Sequence, residues 1–209
     1  TGSQILLKGN VSTTNTSSLT VNSKLVIGNN GGSGINLGLP LTVNDDVTFY
    51  SDNTLSAFTA SGLGGKTLTF EKGKTQTVTG QLTLSGNSNT DGNRLELEGT
   101  GGGTSWNLTA ANYDIQYVKV SDSTAANTLY ANNSIDNGNN VNWVFPNMEY
   151  TWTGTNSTDW SLNTNWSPAS VPGLGAVITI PSGTECAGSM PRGASHTHRM
   201  CIPMRPVIS

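Results

Sequence analysis

Two glutamates, Glu96 and Glu98, stand two residues apart in Arg94-Leu95-Glu96-Leu97-Glu98. In an extended strand such positions share a face, so the two carboxylates are neighbours. Acid/base cleavage of a glycosidic bond needs two carboxylates within roughly 5–10 Å. Asp114 and Asp122 are candidates to join them from adjacent turns, and Arg94 and Lys119 are the nearby cations that would neutralise an acidic sugar. The plainer reading is a solvated strand face.

A second group has calcium-loop spacing. Asn87, Asn89 and Asp91 alternate ahead of Gly92, and Glu98 follows Asn87 by eleven residues. This fits the calcium loop of a helix–loop–helix hand except that position one is Asn. Calcium prefers several carboxylates; this set has two, and its flanks read as strands. A turn followed by an exposed strand Glu is the simpler account, and calcium is the one cofactor the sequence suggests.

Soft ligands are confined to the end of the chain: Cys186, His196, His198 and Cys201. Such residues bind zinc or copper, though their spacing matches no standard zinc module. Ser195 or Cys201 beside a His would make a nucleophile and base. A Cys186–Cys201 disulfide is left open. Three tryptophans, Trp152, Trp160 and Trp166, offer either rings that stack on sugar faces or aromatic bulk that fills a loop-rich core. A Gly-x-Ser-x-Gly elbow, a phosphate-binding Gly-Lys loop and a His-Glu-x-x-His pair are all absent from the sequence.

The elements that must position these groups are strands. Runs such as Leu19-Thr20-Val21, Lys24-Leu25-Val26-Ile27, Val47-Thr48-Phe49, Thr67-Leu68-Thr69-Phe70 and Gln81-Leu82-Thr83-Leu84 alternate apolar and polar residues. Further runs are Leu41-Thr42-Val43, Thr75–Val78, Trp106-Asn107-Leu108, Ile115–Val120 and Val141–Phe145. The polar face is read as Thr, Gln, Lys or Glu. Gly/Asn clusters such as Gly28–Gly32 punctuate them with turn residues. Gly, Asn, Thr and Ser make up nearly half of the 209 residues, and only 11% are charged. That composition excludes helical bundles and coiled coils. No run approaches 18 apolar residues, so no membrane-spanning helix is expected. With 10 Lys+Arg against 13 Asp+Glu, there is no basic cluster for nucleic acid.

An all-β fold follows, a right-handed parallel β-helix (a β-solenoid), with a β-sandwich as the alternative. Two features favour the solenoid. Comparable strands recur at loosely regular spacing, Leu19 to Leu41 being 22 residues and Leu41 to Leu68 being 27. Abundant Thr and Asn can also form ladders of stacked like residues. The organisation reads as a solenoid body over 1–146, a Trp-rich start of a following module or cap over 147–185, and an atypical tail over 186–209. Residues 1–185 hold no His, no Cys and a single Arg, so the tail reads as vector-derived or frameshifted. The chain opens at Thr1 without a signal peptide's charged and apolar regions, and is expected to be an internal piece of a larger protein.

Tyr117–Ser123 and the segment Asn133-Ser134-Ile135-Asp136-Asn137-Gly138-Asn139-Asn140, followed by Trp143 and Phe145, resemble the closing rungs of repeat modules in large secreted bacterial surface proteins. Trp152-Thr153-Gly154, Asp159-Trp160, Asn165-Trp166, Val171-Pro172 and Ile180-Pro181 resemble the opening of the next such module. The resemblance covers roughly 70 residues and stops after Gly183. It implies a secreted or cell-surface location, an adhesin-like structural role without catalysis, and a polysaccharide or cell-surface glycan as partner. The alternatives are a carbohydrate-binding module that uses the Trp cluster, and a secreted hydrolase or lyase acting on polysaccharide or ester substrates. An uncapped solenoid end is an open strand edge, so end-to-end or edge self-association is expected.

Overall fold

The computed structural model describes residues 4–9, 18–146, 149–167, 169, 171–172, 176–181 and 195–196. The first fourteen strands are β1 (Gln4–Leu7), β2 (Leu19–Val21), β3 (Lys24–Ile27), β4 (Asn36–Val43), β5 (Val47–Phe49), β6 (Asn53–Ala60), β7 (Thr67–Glu71), β8 (Thr75–Ser85), β9 (Leu95–Thr100), β10 (Trp106–Gln116), β11 (Val118–Val120), β12 (Ser123–Tyr130), β13 (Ile135–Asp136) and β14 (Val141–Val144). After them come β15 (Glu149–Trp152), β16 (Trp166–Ser167), β17 (Val177–Thr179) and β18 (Ser195–His196). No α-helix occurs among the described residues, and one 3-10 turn spans Asn163–Asn165.

Consecutive strands alternate between two seven-stranded sheets. Odd-numbered strands β1 to β13 form the first and even-numbered strands β2 to β14 the second, both in chain order. Every ladder in these two sheets is parallel. The antiparallel pairing of a β-sandwich is therefore not the arrangement here. Leu19 pairs with Leu41 as the spacing suggested. Leu41 and Leu68 lie on different sheets; Leu41 pairs with Phe58, and Leu68 with Val47 and Leu97.

In-register parallel pairing turns each alternating run into a rank. Leu25, Val47, Leu68, Leu97 and Val120 stack inward across the first sheet, each 1% exposed or less. Leu37, Leu55, Val78 and Ala110 do the same across the second. Burying a Leu or Val is worth about 1.5–3 kcal/mol, and each inner member is covered by the strands on either side of it. Both inner faces share one core. An aromatic stack threads it. Phe49 lies 4.9 Å from Phe70, nearly parallel, and Phe70 lies 3.9 Å from Trp106. Gly99 is the register partner of Phe70, and a Cβ there would crowd Trp106. The missing side chain leaves space that the Lys72 stem takes up most closely, with the Trp106 ring of the opposite sheet beside it.

The corners are polar and tight. Gly28 turns at φ 81°, and a Cβ there would collide with the Tyr50 carbonyl of the next rung. Ser51 adopts φ 62° and is held by its hydroxyl, whose one proton is shared between the Asn29 and Gly32 carbonyls at 2.8 and 2.9 Å. Gln76 corrects the expectation that Gln faces solvent. It is buried and in register with Asn53. Asn53 Nδ2 donates to Gln76 Oε1 at 2.8 Å, and Gln76 Nε2 donates to the Ser51 carbonyl at 2.9 Å. Asn53 Oδ1 accepts from the Ile35 amide at 2.9 Å. Asn53 thus satisfies the Gln76 carbonyl oxygen, and the remaining amide groups bind the corner backbone, as buried polar groups must.

A third sheet, in the order β16-β15-β17-β18, has its own core of Tyr150, Trp152, Trp160, Trp166, Ala176, Ile178 and Ile180. Ile135, from the last strand of the first sheet, belongs to that second core.

Candidate functional site

The outer face of the first sheet gathers the most polar chemistry. Period-2 alternation sends Thr48, Thr69 and Glu98 outward as one rank, and Thr67, Glu96 and Lys119 as another. Glu96 and Glu98 do share this face. Lys119 Nζ donates to Glu96 Oε1 at 3.5 Å, a long contact, and Glu98 is exposed. Towards the start of the sheet, Lys24 Nζ lies 2.9 Å from Asp46 Oδ2, and Lys66 Nζ lies 2.6 Å from Asp45 Oδ1. A shallow groove of about 350 Å³ runs among Lys24, Asp46, Thr48, Thr67, Thr69 and Glu98. Its hydroxyls and paired charges can exchange hydrogen bonds with a polar ligand.

Asp114 and Asp122 do not join the two glutamates. Asp114 pairs in register with Thr83 on the second sheet, facing solvent. Asp122 forms the corner between β11 and β12, at φ 55°. Its Oδ2 lies 2.7 Å from Lys72 Nζ, and its Oδ1 accepts from Asn139 Nδ2 at 2.9 Å. The Lys72 hydrogen bond, helped by Asn139, holds its carboxyl below the usual carboxylate range. Asp45 is held down by Lys66 and the Asp46 amide, and Asp159 by the Ser161 amide and hydroxyl. A general acid needs a raised pKa; all three displaced acids go the other way.

The calcium-like set is split. Asn87, Asn89 and Asp91 lie between β8 and β9, whereas Glu98 lies along β9 opposite Thr69. Asp91 Oδ1 is taken by Arg94 Nη1 at 3.1 Å. Arg94 is 3% exposed, and burial lowers its pKa against the opposing pull of Asp91 and Tyr150. Among the described residues no three His, Cys, Asp or Glu side chains gather as a metal site.

Trp152, Trp160 and Trp166 are 0%, 5% and 2% exposed. Their rings pack on one another at 4.9–5.1 Å. That is a core, and it corrects the sugar-platform expectation, which requires exposed coplanar rings. Trp166 Nε1 donates to the Trp160 carbonyl at 2.9 Å. Asn165, fully buried, braces the surrounding loop. Its Oδ1 accepts from the Asn156 and Ser157 amides, and its Nδ2 donates to Ser157 Oγ and the Asp159 carbonyl, all at 2.9–3.0 Å. Of the tail, Ser195 and His196 pair as a strand with Val177 and Ile178; His198, Cys186 and Cys201 lie outside the described residues.

Sequence reasoning missed the Lys72–Asp122 corner pair and the Asn53–Gln76 amide pair. The sequence signal for the latter was their separation of 23 residues, close to one turn of the chain through both sheets. No protein-family model, curated protein or solved structure matches the chain.

Proposed function

We propose that the chain is a right-handed parallel β-helix module of an extracellular bacterial surface protein, and that it acts as a non-enzymatic, adhesin-like scaffold. The observation that carries this reading is the regular passage of fourteen consecutive strands between two all-parallel sheets. Parallel crossovers are nearly always right-handed, and at about 4.8 Å per strand such a coil makes a short rigid spacer. Function does not follow from fold alone. The separation of Asp114, on the second sheet, and Asp122, at a corner, from Glu96 and Glu98 on the first sheet adds support, since the four carboxylates do not gather into one cluster. The groove beside Thr48, Thr69 and Glu98 is the surface that would meet a cell-surface glycan, through many weak hydroxyl contacts.

The test is a broad panel of ester and glycan hydrolysis assays on the full chain. No turnover is expected. Turnover that Glu98→Gln abolishes while the fold survives would replace the scaffold reading with a hydrolytic one.

A further inference from the structure

We propose that two copies of the chain join end to end through β1, around a two-fold axis normal to the first sheet and midway between their two Leu6 residues. This goes beyond the scaffold role and stands independently of it.

β1 is an edge strand whose only partner among the described residues is β3. Its inward residues continue the core ranks: Ile5 is in register with Leu25, and Leu7 with Ile27. Yet Ile5 is 42% exposed where Leu25 is 1% exposed. Among the described residues the core is open at this end. The outward rank changes character in the same direction. From Glu98 it runs through Thr69, Thr48 and Val26 to Leu6, so polarity falls rung by rung towards the edge. Leu6 is 49% exposed. Edge strands are ordinarily protected by charge, proline or a bulge; β1 reads Gln-Ile-Leu-Leu and has none of these.

The self-complementarity of this edge names the occupant. In an antiparallel pair, directly opposed residues share a face. An axis midway between the two Leu6 residues sets their side chains against each other on the outer face. It sets Ile5 against Leu7 of the second copy on the inner face, closing both open ranks. β1 carries no charge, so two copies meet without like-charge repulsion. An axis normal to the first sheet also turns β2, the edge of the second sheet, towards its own copy. The far end differs, because Ile135 there is buried in the third sheet's core. The contact is therefore isologous and closes at two copies, where a head-to-tail contact would grow into a fibre.

Sedimentation equilibrium of the full chain across micromolar to millimolar concentration tests this, with Leu6→Lys, Leu6→Thr and Val141→Lys alongside. Val141 is an exposed apolar residue of β14, the edge strand at the opposite end of the second sheet. The expected result is a monomer–dimer equilibrium weakened at least about thirty-fold by Leu6→Lys, weakened in the same direction by Leu6→Thr, and unchanged by Val141→Lys. Leu6→Thr places on β1 the residue type its rank already carries at Thr48 and Thr69, so it decides the matter if Leu6→Lys fails to fold by circular dichroism. A monomer at all concentrations, species that grow beyond two copies, or a dimer lost in Val141→Lys but kept in both folded Leu6 variants would overturn the proposal.

Discussion

The two cores solve the same burial problem by different means. The two-sheet body repeats small aliphatic groups in register, so that each rung is sealed by its neighbours, and it adds the aromatic stacks Phe49–Phe70–Trp106 and Trp143–Phe145. The third sheet has four strands of two to four residues and fills its core with Tyr150, Trp152, Trp160 and Trp166. Regular backbone lets small side chains accumulate into a large core, whereas scarce backbone order demands large rings. Both regions then need a buried amide where the chain turns. In the body it is the Asn53–Gln76 pair, in which Asn53 donates to Gln76 and Gln76 to the Ser51 carbonyl; in the third sheet it is the single Asn165, with four side-chain hydrogen bonds.

This contrast can be broken by substitution, and the largest effects belong to the rings and the rung corners. Trp166→Ala removes the ring that touches Tyr150, Trp152 and Trp160 and is expected to cost about 3–5 kcal/mol, read by urea unfolding of the third sheet. Gly34→Ala drives a Cβ into the Asp52 carbonyl of the next rung and is expected to destabilise the body by a similar about 3 kcal/mol or more. If each substitution lowers only its own region's midpoint, the two cores are separate; a common shift would mean that Ile135 couples them.

Buried amides come next. Asn165→Ala strands two backbone amides and a carbonyl, and is expected to cost about 3 kcal/mol at 1–3 kcal/mol per orphaned group. A cost below about 1 kcal/mol by chemical denaturation would show that water takes over the bracing. Smaller again is the contrast between two indoles. Trp166→Phe loses the bond to the Trp160 carbonyl and is expected to cost about 1–2 kcal/mol. Trp160 Nε1 is buried with no hydrogen-bond partner among the described residues, so Trp160→Phe is expected to be much milder, or neutral, in the same chemical denaturation.

The smallest expected effect is electrostatic and belongs to the body alone. The Asp122 carboxyl is held below its unfolded value by Lys72, and both side chains are about one-fifth exposed, at 21% and 19%. A depressed acid stabilises fully above its unfolded pKa, near 3.9, and that stabilisation is lost as pH falls through the lower folded value. The difference in stability between wild type and Asp122→Asn is therefore expected to hold steady from pH 7 to about 5 and to shrink below 4. A difference that grows on acidification would reverse the assignment.

The strands that the sequence made legible are those with strict alternation. Lys24–Ile27 and Val47–Phe49 coincide with β3 and β5. Where the ladder is irregular, the pattern hid the element. β6 carries Leu55 and Phe58 inward at a spacing of three because the register slips between them, and its Ala-rich sequence passed unread. Thr75–Val78 and Gln81–Leu84 read as two strands, but β8 runs through both, with Gly80 lying where a Cβ would meet the Ser56 carbonyl. Ile115–Val120 read as one strand and is two, broken at Tyr117, which turns at φ 53°. The candidate site was less legible. Glu96 and Glu98 share a face as their spacing required, but the sheet on which Asp114 lies depends on how many residues each turn consumes. The burial of the three tryptophans depends on packing that periodicity does not encode.

Hydrogen–deuterium exchange of the full chain, resolved by peptide, tests the rung-stacking account most directly. If rigidity comes from each rung being covered on both sides, amides of the central strands β5 to β10 exchange slowest. Protection should then decline towards β1 and β2, with the third sheet forming a separate block. Uniform exchange through the body, or protection strongest at β1 and β2, would contradict it.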